Sequence, residues 1–529
     1  ILQLSCSASE KRDAARGPAQ TLGCSMRPRA RADPSARGSR SSLGRAALLC
    51  GGLIGLPCAA AAAPRPHILW VMLDDLGYGE VGAFGNPHVA ADRRISTPAL
   101  DSLAAAGARH TQSYAGYTVC APSRTALFTG VHSGHFDALK LDGAKLRPGQ
   151  RLTVAEVLQR AGYATAAVGK LAPLTDPQRS GFDAFLVGQV DQTQCHQMYP
   201  RFVDAGEGKG SLSANGSLSA NGWANVELAG NAAHAPSREA CMARPERFNY
   251  TTDVFADAAV KWLSKHLSKP SPPPFFLYVS FTVPHAGGWT PDSYEAGAPV
   301  PSDLQYAGVD WPDVEKDHAA SITYVDGKVS LILQTIAAVA HDTLVIIASD
   351  NGAHAEGGHD VDFFASTGGL RGHKRSLYDG GTRSPTILRW PAVIQPGTVC
   401  DVPWAFWDIL PTFADLAGAE PPAEIDGVSI VPLFADPRRR DSADGLLFWT
   451  WGSAEGRGYS VRSRSHDYKV VVPTCGDSNR PRAGEVAELY DLAKDPFEAE
   501  NIARAWPAVV ADMLKAAVKA NVTCSCFQC

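Results

Sequence analysis

The sequence predicts an α/β protein: a large, mostly parallel mixed sheet sandwiched by helices, with a smaller C-terminal α+β domain that contains an antiparallel sheet. Two observations point there. Apolar strands alternate with helix-period segments from about residue 67 onward, and chemically active polar residues fall where those strands stop. "HILWVML" is a continuous apolar strand ending at Asp74-Asp75. "TVAEVLQRAGYATAAVGK" reads as helix then strand, ending at Lys170. "DVFADAAVKWLSKHL", a Pro-rich link and "FFLYVSF" repeat the pattern and deliver His285. "HAASITYVDGKVSLILQTIAAVA" reads as a long helix, and "TLVIIASDNG" as a strand ending at Asp350-Asn351. Ligands of open α/β sheets bind at the carboxyl ends of strands, so one face of one sheet should collect these residues.

After "DPRRRDSADG" the pattern changes to short alternating segments such as "GYSVRSRSHDYKVVV" and "ELYDL", a small antiparallel sheet closed by a final helix. We therefore expect a leader over residues 1–63, a catalytic domain over 64–435 and a C-terminal domain over 436–529 with a Cys-rich tail. Residues 205–247, rich in Gly, Ser, Asn and Ala and carrying "SLSANG" twice, read as a surface insertion, pinned in our expectation by a Cys195–Cys241 disulfide. Within the leader, residues 1–25 precede the first plausible start, Met26. From there an Arg- and Ser-rich stretch leads into "AALLCGGLIGLPCAAAAA", the order of a secretory signal. An organelle transit peptide shares the basic, acid-poor composition and is the rival reading. A membrane anchor fits less well, because glycines and a proline interrupt a run at the short end of a spanning length.

Beyond residue 63 the chain has 40 basic and 51 acidic residues, a net charge of −11. Such a chain is a poor general binder of nucleic acid or anionic membranes, so a polyanionic substrate would need a local basic pocket. Eight of the 12 cysteines lie beyond the leader, and if Cys120 is chemically special an odd number remains for pairing. Three glycan-acceptor tripeptides begin at Asn215, Asn249 and Asn521. Together these suit a disulfide-bonded glycoprotein of the secretory pathway, secreted or held in a lysosome- or vacuole-like compartment.

Asp74-Asp75 alone reads as a capping or turn pair, and Asp350-Asn351-Gly352 alone as a turn. Both at strand ends, they become three carboxylates and an amide oxygen, an all-oxygen site for a hard divalent cation, Ca²⁺ or Mg²⁺. Arg124, Lys170, Lys374 and His285 each have a bland reading as solvated surface residues. Gathered beside a cation they form a positive cavity for a tetrahedral oxyanion. "CAPSRTALFTG" sets Cys120 at the mouth of a helix, where the helix N-terminus and Arg124 favour a thiolate. Read from the residues, the chemistry is phosphoryl or sulfuryl transfer with Cys120 near the nucleophile position.

"CAPSRTALFTG" resembles the signature of the formylglycine-dependent (type I) sulfatases of the alkaline phosphatase superfamily, C-x-P-S-R closed by T-G. The resemblance extends over most of residues 66–505, through "ILWVMLDDLGYGEVGAFG", "SFTVPHA", the block from "ASDNGAHAEGGHD" to "TRSPTILRWP", and "ELYDLAKDPFEAENIA". It implies that Cys120 is oxidised to formylglycine (3-oxoalanine) by a formylglycine-generating enzyme, and that the aldehyde hydrate supplies the nucleophilic oxygen. It implies Ca²⁺ bound by Asp74, Asp75, Asp350 and Asn351 with the modified Cys120. Arg124 and Lys170 would steady the hydrate. Lys374 and His285 would hold the sulfate and help protonate the leaving alcohol. By the family mechanism one hydrate oxygen attacks sulfur, the alcohol departs, and loss of a proton from the second hydroxyl expels sulfate and restores the aldehyde.

One position departs from the family. Where many sulfatases read G-K-W-H-L-G, this chain reads "GKLAPL", so Ala172 replaces a histidine that assists the second step. Some relatives that lack it resemble "QTQCHQMYP", with Gln192, His196, Tyr199 and Pro200, and His196 is the candidate substitute; its bland reading is a structural loop histidine. His354 and His359 in "GAHAEGGHD" are candidates for the substrate pocket, or loop histidines bonding backbone. The expected activity is hydrolysis of a sulfate monoester, of a sulfated sugar or polysaccharide or of an aryl sulfate. A phosphodiesterase or phosphonate hydrolase of the same superfamily is the enzymatic alternative. A pseudo-sulfatase that binds sulfated glycans without turnover is the other.

Overall fold

A computed structural model describes residues 65–136, 145–190, 196–205, 224–228, 231, 237–287, 297–440, 445–453, 456–475 and 487–519. The expected leader, the Cys-rich tail, Cys195, Gln192 and the acceptors Asn215 and Asn521 lie outside these residues. In chain order the strands are β1 (His67–Asp74), β2 (Ala108–His110), β3 (Ser113–Tyr114), β4 (Ala164–Lys170), β5 (Ala184–Gln189), β6 (Phe202–Ala205), β7 (Ala224–Glu227) and β8 (Phe275–Pro284). They continue as β9 (Thr343–Ser349), β10 (Thr386–Arg389), β11 (Thr398–Cys400), β12 (Trp404–Ala405), β13 (Leu446–Ser453), β14 (Gly456–Ser463), β15 (Tyr468–Cys475) and β16 (Glu488–Asp491).

Ten strands form one mixed sheet in the order β11-β2-β10-β9-β1-β8-β4-β5-β6-β7. The central run from β9 to β5 is parallel, and antiparallel strands flank it on both sides. The apolar run of β1 divides by the two-residue period of a strand: Ile68, Trp70 and Met72 enter one core, Leu69, Val71 and Leu73 the other. Helices Val154–Arg160 and Ile409–Ala417 cover the first face, and Pro98–Ala105, Thr251–Leu267 and Asp313–Val339 the second. Each large side chain so buried contributes roughly 1.5–3 kcal/mol, which fixes the register of the central strands.

The C-terminal region forms a separate four-stranded antiparallel sheet, β13-β14-β15-β16. Leu447 and Trp449 of β13 pack toward Tyr114, Ala126 and Trp407, while Phe448 faces the final helix, Pro507–Lys519, with Met513 and Ala517. Ala126 belongs to the Cys120–Thr129 helix, so the small sheet supports the helix that carries the signature cysteine.

Within the expected 205–247 insertion, β7 pairs with β6 and extends the large sheet at its edge. A four-residue strand is too short to show a period in sequence. One expectation is corrected here. The Cys195–Cys241 disulfide is replaced by a free, fully buried Cys241 thiol, 3.0 Å from the hydroxyl of Tyr199. No helix of the described residues is long and apolar enough to cross a membrane.

Candidate active site

Adjacent strands β9, β1, β8 and β4 deliver the polar side chains from their carboxyl ends. β1 ends at Asp74 with Asp75 next, β4 ends at Lys170, β8 stops at Pro284 before His285, and β9 stops at Ser349 before Asp350 and Asn351. The Cys120–Thr129 helix, buried at every residue, enters from the side and ends at Gly130, whose φ of 71° is the left-handed form glycine accepts. Cys120 and Arg124 are four residues apart on that helix and share a face.

Arg124 links the parts. Its Nε donates to Asp350 Oδ2 at 2.8 Å, Nη1 donates to the carbonyl of Lys170 at 3.0 Å and to Ser280 Oγ, and Nη2 lies 3.6 Å from Asp74 Oδ1. Lys170 Nζ donates to Asp74 Oδ2 at 2.5 Å. Asp75 takes a left-handed φ of 67°, a strained backbone held by its N–H donating to Asp350 Oδ1 at 3.1 Å and by Asn351 Nδ2 donating to Asp75 Oδ1 at 2.7 Å.

Cys120 Sγ and carboxylate oxygens of Asp74 and Asp350 lie within 4.8 Å of one another, all buried. Asp74 Oδ1 and Asn351 Oδ1 are buried and accept no hydrogen bond. Burial, then the neighbouring Asp350, raises the Asp74 carboxyl well above its ordinary range. Crowded carboxylates with orphaned oxygens are what a hard divalent cation relieves, so the donor set fits such an ion.

Lys374 stands across from it. Its Nζ donates to Asp75 Oδ2 at 2.8 Å and to Glu356 Oε2 at 2.9 Å, and lies 3.1 Å from His285 Nε2. Burial raises the Asp75 carboxyl, but Lys374, then His285 and His354, outweigh it and hold Asp75 well below the usual range. His285 Nδ1 donates to the carbonyl of Ala286 at 2.6 Å, so Nε2 carries the lone pair that faces Lys374. Burial, then His196 and Lys374, lowers the His285 pKa, while Asp75 counters the burial of Lys374 and keeps it an ammonium.

His196 does reach the site. Its ring stacks on His285 with centroids 3.9 Å apart and planes 2° from parallel, and its Nε2 is buried without a hydrogen-bond partner. Burial, then Lys170 and Lys374, depresses its pKa and holds it a neutral base. Ala172, 3% exposed, offers only a methyl group beyond β4.

The two loop histidines are held by contacts within the protein. His354 is committed to backbone: its Nδ1 accepts from the Glu356 N–H at 3.1 Å and its Nε2 donates to the Pro284 carbonyl at 3.0 Å. His359 turns away, pairing with Glu315 at 2.7 Å and stacking on His318 at 3.8 Å. Sequence reasoning missed Glu356 and Ser280, which contact Lys374 and Arg124 directly. For Glu356 the only signal was its place in the loop that follows Asp350-Asn351.

Comparison with known proteins agrees with this geometry. Residues 66–419 match the family described as Sulfatase, and residues 372–522 match the one described as N-sulphoglucosamine sulphohydrolase, C-terminal. Steryl-sulfatase of Mus musculus is 29% identical over 84% of this chain and 79% of its own length. Arylsulfatase A of Homo sapiens is 29% identical over 89% of this chain and 92% of its own. A protein solved in complex with its substrate D-glucosamine-2-N,6-O-disulfate superposes with a TM-score of 0.62 at 20% identity, covering 86% of this chain and 97% of that one, a likeness of fold.

Proposed function

Because the chain belongs to the sulfatase family of sulfuric ester hydrolases, we propose that it hydrolyses a sulfate monoester through a nucleophile made from Cys120. The substrate class is a sulfated sugar or polysaccharide, or an aryl sulfate. The observation that carries the reading is the buried Cys120 thiol within 4.8 Å of Asp74 and Asp350, at the N-terminus of a helix that also holds Arg124.

Asp74, Asp75, Asp350 and Asn351, with the converted residue 120, would hold Ca²⁺, Mg²⁺ being the alternative. Bound there, the cation would act as a Lewis acid toward the ester oxygens. A formylglycine hydrate at position 120 would supply the attacking oxygen. Arg124 fixes the reacting end through Asp350, and Lys170 neutralises Asp74 at 2.5 Å. The Lys374 ammonium faces the His285 Nε2 lone pair at 3.1 Å, so a proton is held where a leaving oxygen would need it. His196 provides the base that Ala172 lacks. Glu356 holds the Lys374 ammonium from its other side.

We assign catalysis to residues 64–435 and support of the Cys120 helix to residues 436–529. Maturation by a formylglycine-generating enzyme would take the chain through the secretory pathway, a route that the charge order of residues 26–63 supports. The test is a peptide mass spectrum across residues 110–124 of protein from a secretory host, with sulfate release from a generic aryl sulfate and a phosphonate ester in parallel. Conversion of Cys120 with preferential sulfate release is expected. An unmodified thiol in a competent host would overturn the nucleophile, preference for the phosphonate would move the assignment to that hydrolase, and conversion without release from sulfated sugars would leave a glycan-binding role.

A further inference from the structure

Outside the catalytic site, Glu80, His318 and His359 meet in the interior from three distant segments, at 2%, 1% and 5% exposure. Glu80 lies in the turn after β1, His318 in the Asp313–Val339 helix, and His359 in the loop after β9. His318 Nε2 is 2.7 Å from Glu80 Oε1, His359 Nε2 is 4.0 Å from the same oxygen, and the two rings stack at 10°. Adjacent donors around a tetrahedral Zn²⁺ stand about 3.3 Å apart, given bonds of about 2.0–2.1 Å, a value these distances bracket.

The outward-facing atoms are already held. Gly77 N–H donates to Glu80 Oε2 at 2.6 Å. His359 Nδ1 donates to Glu315 Oε2 at 2.7 Å, while Glu315 Oε1 accepts from the Asp360 N–H at 2.8 Å. That leaves the lone pair of His359 Nε2 facing a carboxylate oxygen, with Ser366 Oγ 3.4 Å away. A carboxylate behind a histidine is the arrangement that orients metal-ligating imidazoles. His318 Nδ1, also buried, has no hydrogen-bond partner.

We propose that Glu80, His318 and His359 bind a divalent transition-metal ion of the zinc class, with Glu315 orienting His359. Two imidazoles and one carboxylate favour such an ion over the hard cation suited to the all-oxygen catalytic set. The ion would tie together the turn after Asp74-Asp75, the long helix and the loop bearing Asp350, Asn351 and Glu356. Its role is to stiffen the catalytic loops, and it does not depend on the formylglycine reading.

The experiment uses the full chain, stripped by chelator, saturated with Ca²⁺ and titrated with Zn²⁺ by calorimetry and with Co²⁺ by visible ligand-field absorption. One tight equivalent with a four-coordinate Co²⁺ spectrum is expected, lost in His359→Gln and weakened about ten- to hundredfold in Glu315→Gln. It should persist in His135→Ala, which cuts the half-buried cluster of His132, His135 and Asp426, and in Cys120→Ala. Absence of a tight equivalent in the wild-type chain, its survival unchanged in both His359→Gln and Glu315→Gln, or its loss in either control would overturn the site. Should His359→Gln fail to fold, the wild-type stoichiometry and Glu315→Gln decide the matter.

Discussion

Under the proposed mechanism the second step calls for a proton acceptor where Ala172 offers only a methyl group, and the buried ring nitrogen without a partner beside His285 belongs to His196. Removing it should leave the first step intact and slow the second. In His196→Ala we expect a burst of released alcohol followed by turnover reduced about a hundredfold, the lower range of general acid–base contributions; stopped-flow with a chromogenic aryl sulfate reads both phases. Unchanged turnover would reduce His196 to a stacking partner of His285. At this scale the sequence was legible where the chemistry is contiguous: Cys120 and Arg124 share one helical face, and Asp74-Asp75 and Asp350-Asn351 each sit at one strand end. It was silent where a side chain's direction depends on distant partners. His359 is held by Glu315, 44 residues away, and Glu356 is recruited by Lys374, 18 residues away. Neither spacing leaves a local signature.

Long apolar strands announced themselves because β1, β8 and β9 are buried on both faces, whereas β10, β11 and β12, two to four residues each, take their places only from the strands beside them. Glycine marks the tightest joint between these elements. Gly169, just before Lys170 in β4, has φ 95°, and a Cβ there would stand 1.8 Å from the Ser280 carbonyl oxygen of β8. Ser280 also accepts a hydrogen bond from Arg124, so spreading the two strands would move Lys170 and Arg124 together. Gly169→Ala should therefore lose about 3 kcal/mol or more, from steric conflict plus a left-handed backbone. It should lower kcat in whatever fraction still folds. Urea denaturation and activity per folded molecule measure the two effects, and a variant as stable as the parent would mean that β4 and β8 are not held in this register.

The large sheet carries an apolar layer on each face, and the acid stability of the fold should follow from the histidines buried in the described residues. His110, at the end of β2, is 1% exposed and accepts from Trp404 Nε1 at 2.9 Å; burial alone lowers its pKa to about 3. Unfolded, the same ring titrates near 6.5. Between these values the unfolded chain binds the extra proton, so stability is complete above about pH 6.5 and falls as the pH drops toward 3, with a slope approaching ~1.4 kcal/mol per pH unit. His132, held down to about 4 chiefly by burial, acts in the same sense. His110→Gln keeps an acceptor for Trp404 but cannot titrate. Between pH 6.5 and 4 its melting temperature should fall less steeply than that of the parent, even if its value at pH 7 is lower; parallel curves would show that His110 is not the group that charges on unfolding. A lysosome-like compartment lies inside this window, so a chain resident there must offset the penalty elsewhere, whereas one secreted to neutral surroundings meets none of it.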